Sequence, residues 1–340
     1  MDWATVDVVM KRDCKDAVEF LNILSPRSEL FCGQEVHDVW LYRGVADDRY
    51  ELIPSALRSE DSFHRVGGHI SEDQRSQISN EAMALERFFN LADAGGLLLP
   101  EDSQTLRSLI REVRTQIYFD KLTQGNEQWP PKMLWSMMAL AQHYGVPTRL
   151  LDWSLRPLVA AYFAAEGAMR RYADLRLRRE KLSTPEPMSD VEDAGMLTVW
   201  AFHYSNLTRA FDPEHDYFFE SESPPDLPTV LVTAPRAQIP NLHAQHGVFT
   251  LLRIREDPSN PNLDRNEFAL DGVLRKFLAA HPTAGRYYIK PLFYRIRLPW
   301  REARYLMWLL QMEGITAAVI YPGFKGVVTT IEEQAYRGRG

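Results

Sequence analysis

The chain has 340 residues, 45% hydrophobic and 11% aromatic, enough for a sizeable core, which excludes a mainly disordered chain. Its 39 basic and 46 acidic side chains leave a net charge of −7, which excludes a broadly basic nucleic-acid binder and leaves only a local basic patch open. Two cysteines, Cys14 and Cys32, exclude a disulfide scaffold and a four-cysteine zinc site.

In chain order, residues 17–24 carry apolar groups at helical spacing, ended by Ser25-Pro26. Residues 39–44 read as a short strand stopped by Gly44. Helices are expected over residues 74–91 and 102–121, both too polar to be central and so flanking the core. Residues 133–144 are apolar nearly all round, the pattern of a buried helix, with Gly145 and Pro147 as its stop. A second apolar helix covers 157–168, with Ser154 as its cap and Pro157 in its first turn. A basic run over 170–181 reads as a solvated helix end leading into a loop. The second half is strand-rich, with strands expected over 196–202, 229–232, 247–254 and 287–298, the last interrupted at Pro291. A helix over 301–313 stops at Gly314, and residues 316–321 read as a final buried strand. Strands that cluster instead of alternating with helices indicate an α+β fold. No apolar run approaches about 18 residues, and no basic-then-apolar leader is seen, so a cytoplasmic protein without a membrane span is expected.

Several familiar chemistries are missing. There is no phosphate loop of either glycine-rich type, no HExxH and no GxSxG elbow. His243 and His246 are spaced i, i+3, but a metal needs a third ligand, and no metal is expected. Three segments do place polar groups among apolar flanks. In the first, Tyr42-Arg43-Gly44, an arginine at the end of an apolar strand meets an anionic ligand or a structural carboxylate. The second is Ala-Gln-His-Tyr-Gly-Val-Pro-Thr-Arg-Leu-Leu-Asp-Trp-Ser at 141–154. Here Gln142, His143, Thr148, Arg149, Asp152 and Ser154 call for a shared hydrogen-bond network or a ligand, an Arg149–Asp152 pair being the plainer arrangement. In the third, Gln245 precedes Gly247 and Phe249 at a turn, where an amide either recognises a ligand or stabilises the turn.

At these segments the chain resembles the FRG-domain family, named for an aromatic-Arg-Gly motif matched by Tyr42, Arg43 and Gly44. The long central motif, with the Pro-Leu-x-Ala-x-Tyr-Phe-Ala helix after it, is matched over 141–164, and Gln245, Gly247 and Phe249 match a Gln-x-Gly-x-Phe element. A helix, Gly-Ile and Tyr-Pro pattern is matched over 303–322. The family's motif order is similar to that of the ADP-ribosyltransferase fold. That likeness implies small mixed or antiparallel sheets flanked by helices, with NAD as substrate. Arg43 would hold phosphate, Asp152 or Gln245 would act at the ribose, and Tyr42, Gly44, His143, Thr148, Arg149, Trp153, Ser154 and Phe249 would line the nucleotide site. The domain would span 36–330 with a helical insertion at about 70–130, after an N-terminal helical segment (1–35) and before a flexible tail (331–340). The resemblance implies an NAD-consuming enzyme, an ADP-ribosyltransferase or NAD glycohydrolase, suited to a toxin or antiviral-defence effector with a protein target or regulatory partner. A nucleotide sensor without turnover, or a nucleic-acid-acting enzyme using basic residues at 170–181 and 253–255, stands as an alternative.

Overall fold

The computed structural model of the chain describes residues 8–31, 38–58, 63–69, 71, 73–125, 127–180, 195–211, 227–234, 240–253, 265–281 and 291–338. A short strand β1 (Val9–Asp13) leads into helix α1 (Ala17–Leu24), whose first turn is fixed by Asp16 accepting the Glu19 N–H at 2.8 Å. Strand β2 (Trp40–Val45) follows. Next come the helices α2 (Gln74–Ala94), α3 (Gln104–Glu112), α4 (Gln116–Thr123) and α5 (Trp135–His143). Strand β3 (Leu150–Ser154) runs directly into the long helix α6 (Pro157–Glu180). The second half holds β4 (Met196–His203), α7 (Tyr204–Phe211), β5 (Thr229–Val232), α8 (Pro240–Ala244), β6 (Gly247–Leu252), α9 (Leu270–Ala280) and β7 (Phe293–Pro299). The helices α10 (Ala303–Met312), α11 (Ala317–Ile320) and α12 (Phe324–Gly338) close the order.

Among the described residues, seven strands join one sheet in the order β1-β7-β4-β2-β3-β6-β5, in place of the small sheets expected. Only the β1–β7 pair is parallel. Alternation along each strand sends successive side chains to opposite faces. Tyr42, Val199, Ala201, Ile296 and Leu298 meet α1, α6 and α10 on one face. Leu41, Trp153, Phe202, Leu231 and Val248 meet α7 and α9 on the other. A further cluster joins α2 to α5 with Leu150, Val230, Phe249 and Leu251. The helices at 74–94 and 104–123 therefore supply core, where the sequence suggested flanking elements. Their polar composition misleads because one narrow stripe, Ile78, Ala82, Leu85 and Phe89, is enough to bury a helix.

The structure corrects several further expectations. The helix expected over 102–121 is two, because Thr115 opens α4 by accepting the Tyr118 N–H. Helix α6 runs past residue 168 to Glu180 and so carries the basic run up to its last residue, Lys181, which lies outside the described residues. Residues 317–320 form a helical turn, not a strand. They lie between Gly314 (φ 79°) and Gly323 (φ 86°), and Ala317 and Ile320 point inward at i, i+3 spacing. Strand β7 starts after Pro291, which has no N–H to donate, and residues 287–290 are not described. The segment read as helical over 1–35 also contains β1, an integral sheet strand. No helix among the described residues is long and apolar enough to cross a membrane.

Candidate functional site

The cleft opens where the sheet comes apart. Strands β2 and β3 share one paired position, Tyr42 with Ser154, whereas β2 pairs with β4 over six positions and β3 with β6 over five. Beyond that rung the two strands separate, and the Arg43 side chain spans the gap. Its Nη1 donates to Oδ2 of Asp152 at 2.7 Å and to the Asp152 main-chain carbonyl at 2.7 Å. Gln142, at the end of α5, donates from Nε2 to Oδ1 of the same carboxylate at 3.3 Å. Gln142 is itself held by the Thr148 hydroxyl, which donates to its Oε1 and accepts the Leu150 N–H at 3.2 Å. Both oxygens of Asp152 are thus oriented by donors from two other elements.

The cleft has a volume of about 410 Å³, within the usual range for small-molecule sites. The Asp152 side chain is 66% exposed to the cleft, and that of Arg43 is 14% exposed. Close protein walls desolvate the carboxylate and oppose its ionisation. The charge and hydrogen bond of Arg43 outweigh this and hold it below the ordinary carboxylate range. The carboxylate is therefore ionised at neutral pH. His143 lies on the same cleft, and its pKa is lowered, first by burial and then by repulsion from Lys325. At pH 7 its ring is neutral.

The opposite wall comes from the C-terminal third. Ser154 donates to the Gln245 carbonyl at 2.8 Å, fixing the turn before β6. The Gln245 side chain donates from Nε2 to the Ile320 carbonyl at 3.2 Å, so it fastens α11 to the cleft. Tyr321 and Lys325 follow, with the Lys325 Nζ 4.6 Å from the centre of the Tyr321 ring. Phe163 of α6 and Phe249 of β6 add apolar surface. Gly44 is a packing requirement, since a Cβ there would lie 1.8 Å from the Ala160 carbonyl oxygen.

Of the residues singled out from sequence, Tyr42, Arg43, Gly44, His143, Asp152, Trp153, Ser154, Gln245 and Phe249 all line this cleft. Trp153 does so from within the core, its indole N–H donating to the Thr250 hydroxyl at 2.8 Å. Thr148 and Arg149 do not line it. The Arg149–Asp152 pair does not form. Arg149 is 1% exposed and bonds Glu81 of α2, itself 2% exposed, at 2.6 Å. Glu81 also accepts from Gln77 and from Trp129, each at 2.7 Å. Residues three apart in extended chain point to opposite sides, which is why the sequence neighbours part. Sequence reasoning passed over Tyr321, Lys325, Phe163 and Asn241 as lining residues. Lys325 lies two residues past the Tyr-Pro-Gly turn, the one local signal that placed that stretch near a site.

A central arginine, a paired carboxylate and a latched wall all descend from the motifs at 42–44, 141–154 and 245–249. Residues 38–173 match the family model for the FRG domain. Over that stretch the chain is similar to the FRG domain. No curated protein matches, and no solved structure matches. The matched stretch of the FRG domain holds Arg43, Gln142, His143 and Asp152, while Gln245, Tyr321 and Lys325 lie beyond it.

Proposed function

We propose that the cleft binds NAD and breaks its N-glycosidic bond, passing the ADP-ribosyl group to an acceptor or to water. The observation that carries this reading is the Asp152 carboxylate, ionised, aimed into a walled cleft and held at both oxygens. As the bond between C1′ and the nicotinamide nitrogen breaks, its electrons leave with nicotinamide. Positive charge grows on the ribose, and a preoriented carboxylate stabilises it most where water is excluded. Neutral Gln245 has no charge to offer, and one of its two amide N–H donors is taken by Ile320, so the negative charge falls to Asp152. A hydroxyl of the acceptor, or water, then adds at C1′ and gives up its proton, for which the neutral His143 ring is a suitable base. The resemblance of the motif order to ADP-ribosyltransferases supports the NAD reading, although that order sets Gln245 at the position of the catalytic carboxylate. Such chemistry would suit a toxin or defence effector.

The decisive experiment incubates the protein with NAD labelled in the adenylate portion and follows nicotinamide release and label transfer. Asp152→Asn should lower kcat/KM by about 10²-fold, the scale for losing one oriented electrostatic group. No release and no transfer, with wild type equal to Asp152→Asn, would sink the proposal. A second reading has its own observation: the Arg43 contact partly neutralises Asp152. A nucleotide sensor without turnover would be stabilised thermally by NAD or ADP-ribose in the same samples while releasing nothing.

A further inference from the structure

The charges in the cleft do not balance where the family likeness expects them to. Arg43 is the residue that likeness assigns to phosphate, but its Nη1 is committed twice to Asp152, and the pair is neutral as a unit. His143 is uncharged at neutral pH. Lys325 is the remaining cation among the lining residues, and no carboxylate pairs with it among the described residues. Its ammonium rests on the Tyr321 ring, 4.6 Å from the centre. It lies close enough to His143 to oppose protonation of that ring. The wall that carries Lys325 is fastened by Gln245 through the Ile320 carbonyl.

We propose that Lys325, with the Tyr321 and His143 side chains beside it, forms the subsite for the anionic group of the ligand, a diphosphate or phosphate, while Arg43 stays with Asp152. This inference rests on the reading of the cleft as a nucleotide site and says which end of the ligand lies against the C-terminal wall. An ammonium on a flexible stem suits a phosphate oxygen as a point charge. The tyrosine hydroxyl stays protonated, since burial first and then Glu166 raise its pKa, so it remains a donor. A neutral imidazole accepts or donates beside it without adding charge.

The test uses the full chain and three probes: ADP-ribose, inorganic pyrophosphate and the uncharged nucleoside adenosine, each titrated calorimetrically. Lys325→Ala should weaken ADP-ribose and pyrophosphate by about tenfold or more, leaving adenosine unchanged, as expected for loss of a charge-assisted contact. Lys325→Arg should restore ADP-ribose binding to within about threefold, since charge is kept while geometry changes. The proposal is overturned if Lys325→Ala leaves ADP-ribose within about twofold of wild type. It is equally overturned if adenosine weakens in parallel, or if the wild type binds neither anion. Nicotinamide release measured on the same preparations separates the two readings. Lys325-dependent ADP-ribose binding with no release removes the chemistry and keeps the subsite. Turnover with KM unchanged in Lys325→Ala removes the subsite and keeps the chemistry.

Discussion

Gln245 has two jobs open to it, and they make opposite demands on its side chain. A residue acting at the ribose would gain from a negative charge. A residue holding the Ile320 carbonyl needs an N–H, which a carboxylate lacks. Gln245→Glu therefore discriminates. The latch role predicts slower nicotinamide release and faster amide exchange over residues 317–326, because the wall loses its tie. Faster release, with exchange unchanged, would show that the position acts on substrate. The sequence singled out Gln245, which does line the cleft, but its partner lies 75 residues on and leaves no local trace. Arg149 teaches the same lesson. Its spacing suggested Asp152, while its ionic partner Glu81 sits 68 residues away on another helix. Residue type and motif marked both positions, and only the fold could say what each one touches.

The elements legible from sequence were those with an apolar pattern or clear stops: α1, β2, α2, α5, the first turns of α6, β4, β5, β6 and α10. Those missed were short or compositionally contrary. Strand β1 has the sequence VMKRD with a single buried residue, and its pairing to β7 supplies what its propensity lacks. Helix α11 reads AAVI, a strand-like sequence forced to turn by the glycines on either side. The packing of α6 on β2 explains the glycine of the aromatic-Arg-Gly motif in physical terms. Ala160, Ala161, Ala164 and Ala165 bring the helix close, and at Gly44 there is no room for a methyl group. Gly44→Ala should cost about 3 kcal/mol in urea unfolding, because the obstructing atom is a main-chain carbonyl that cannot rotate away. An unchanged urea midpoint would mean that α6 sits farther from β2 than described.

For the molecule as a whole, the cleft writes a signature into its pH stability. His143 has its pKa lowered by burial and by Lys325. From that lowered value up to about pH 6.5 the unfolded chain binds a proton that the folded chain refuses, so stability rises with pH through this window. His143→Gln removes the difference. Wild type should lose more stability than the variant between about pH 7 and pH 5 in urea titrations, and parallel curves would contradict the assignment. The carboxylates of Asp13 and Asp47, lowered chiefly by hydrogen bonds from Arg297 and Arg49, act in the same direction at lower pH and equally in both proteins. The single rung between β2 and β3 has a consequence of a mechanical kind. Two panels of sheet meet along a tear line, and the Arg43–Asp152 contact is the stitch across it. A ligand that draws the guanidinium away from the carboxylate must restitch the panels through its own atoms or let them part. A ligand that leaves the guanidinium on Asp152 keeps the stitch and the two panels together.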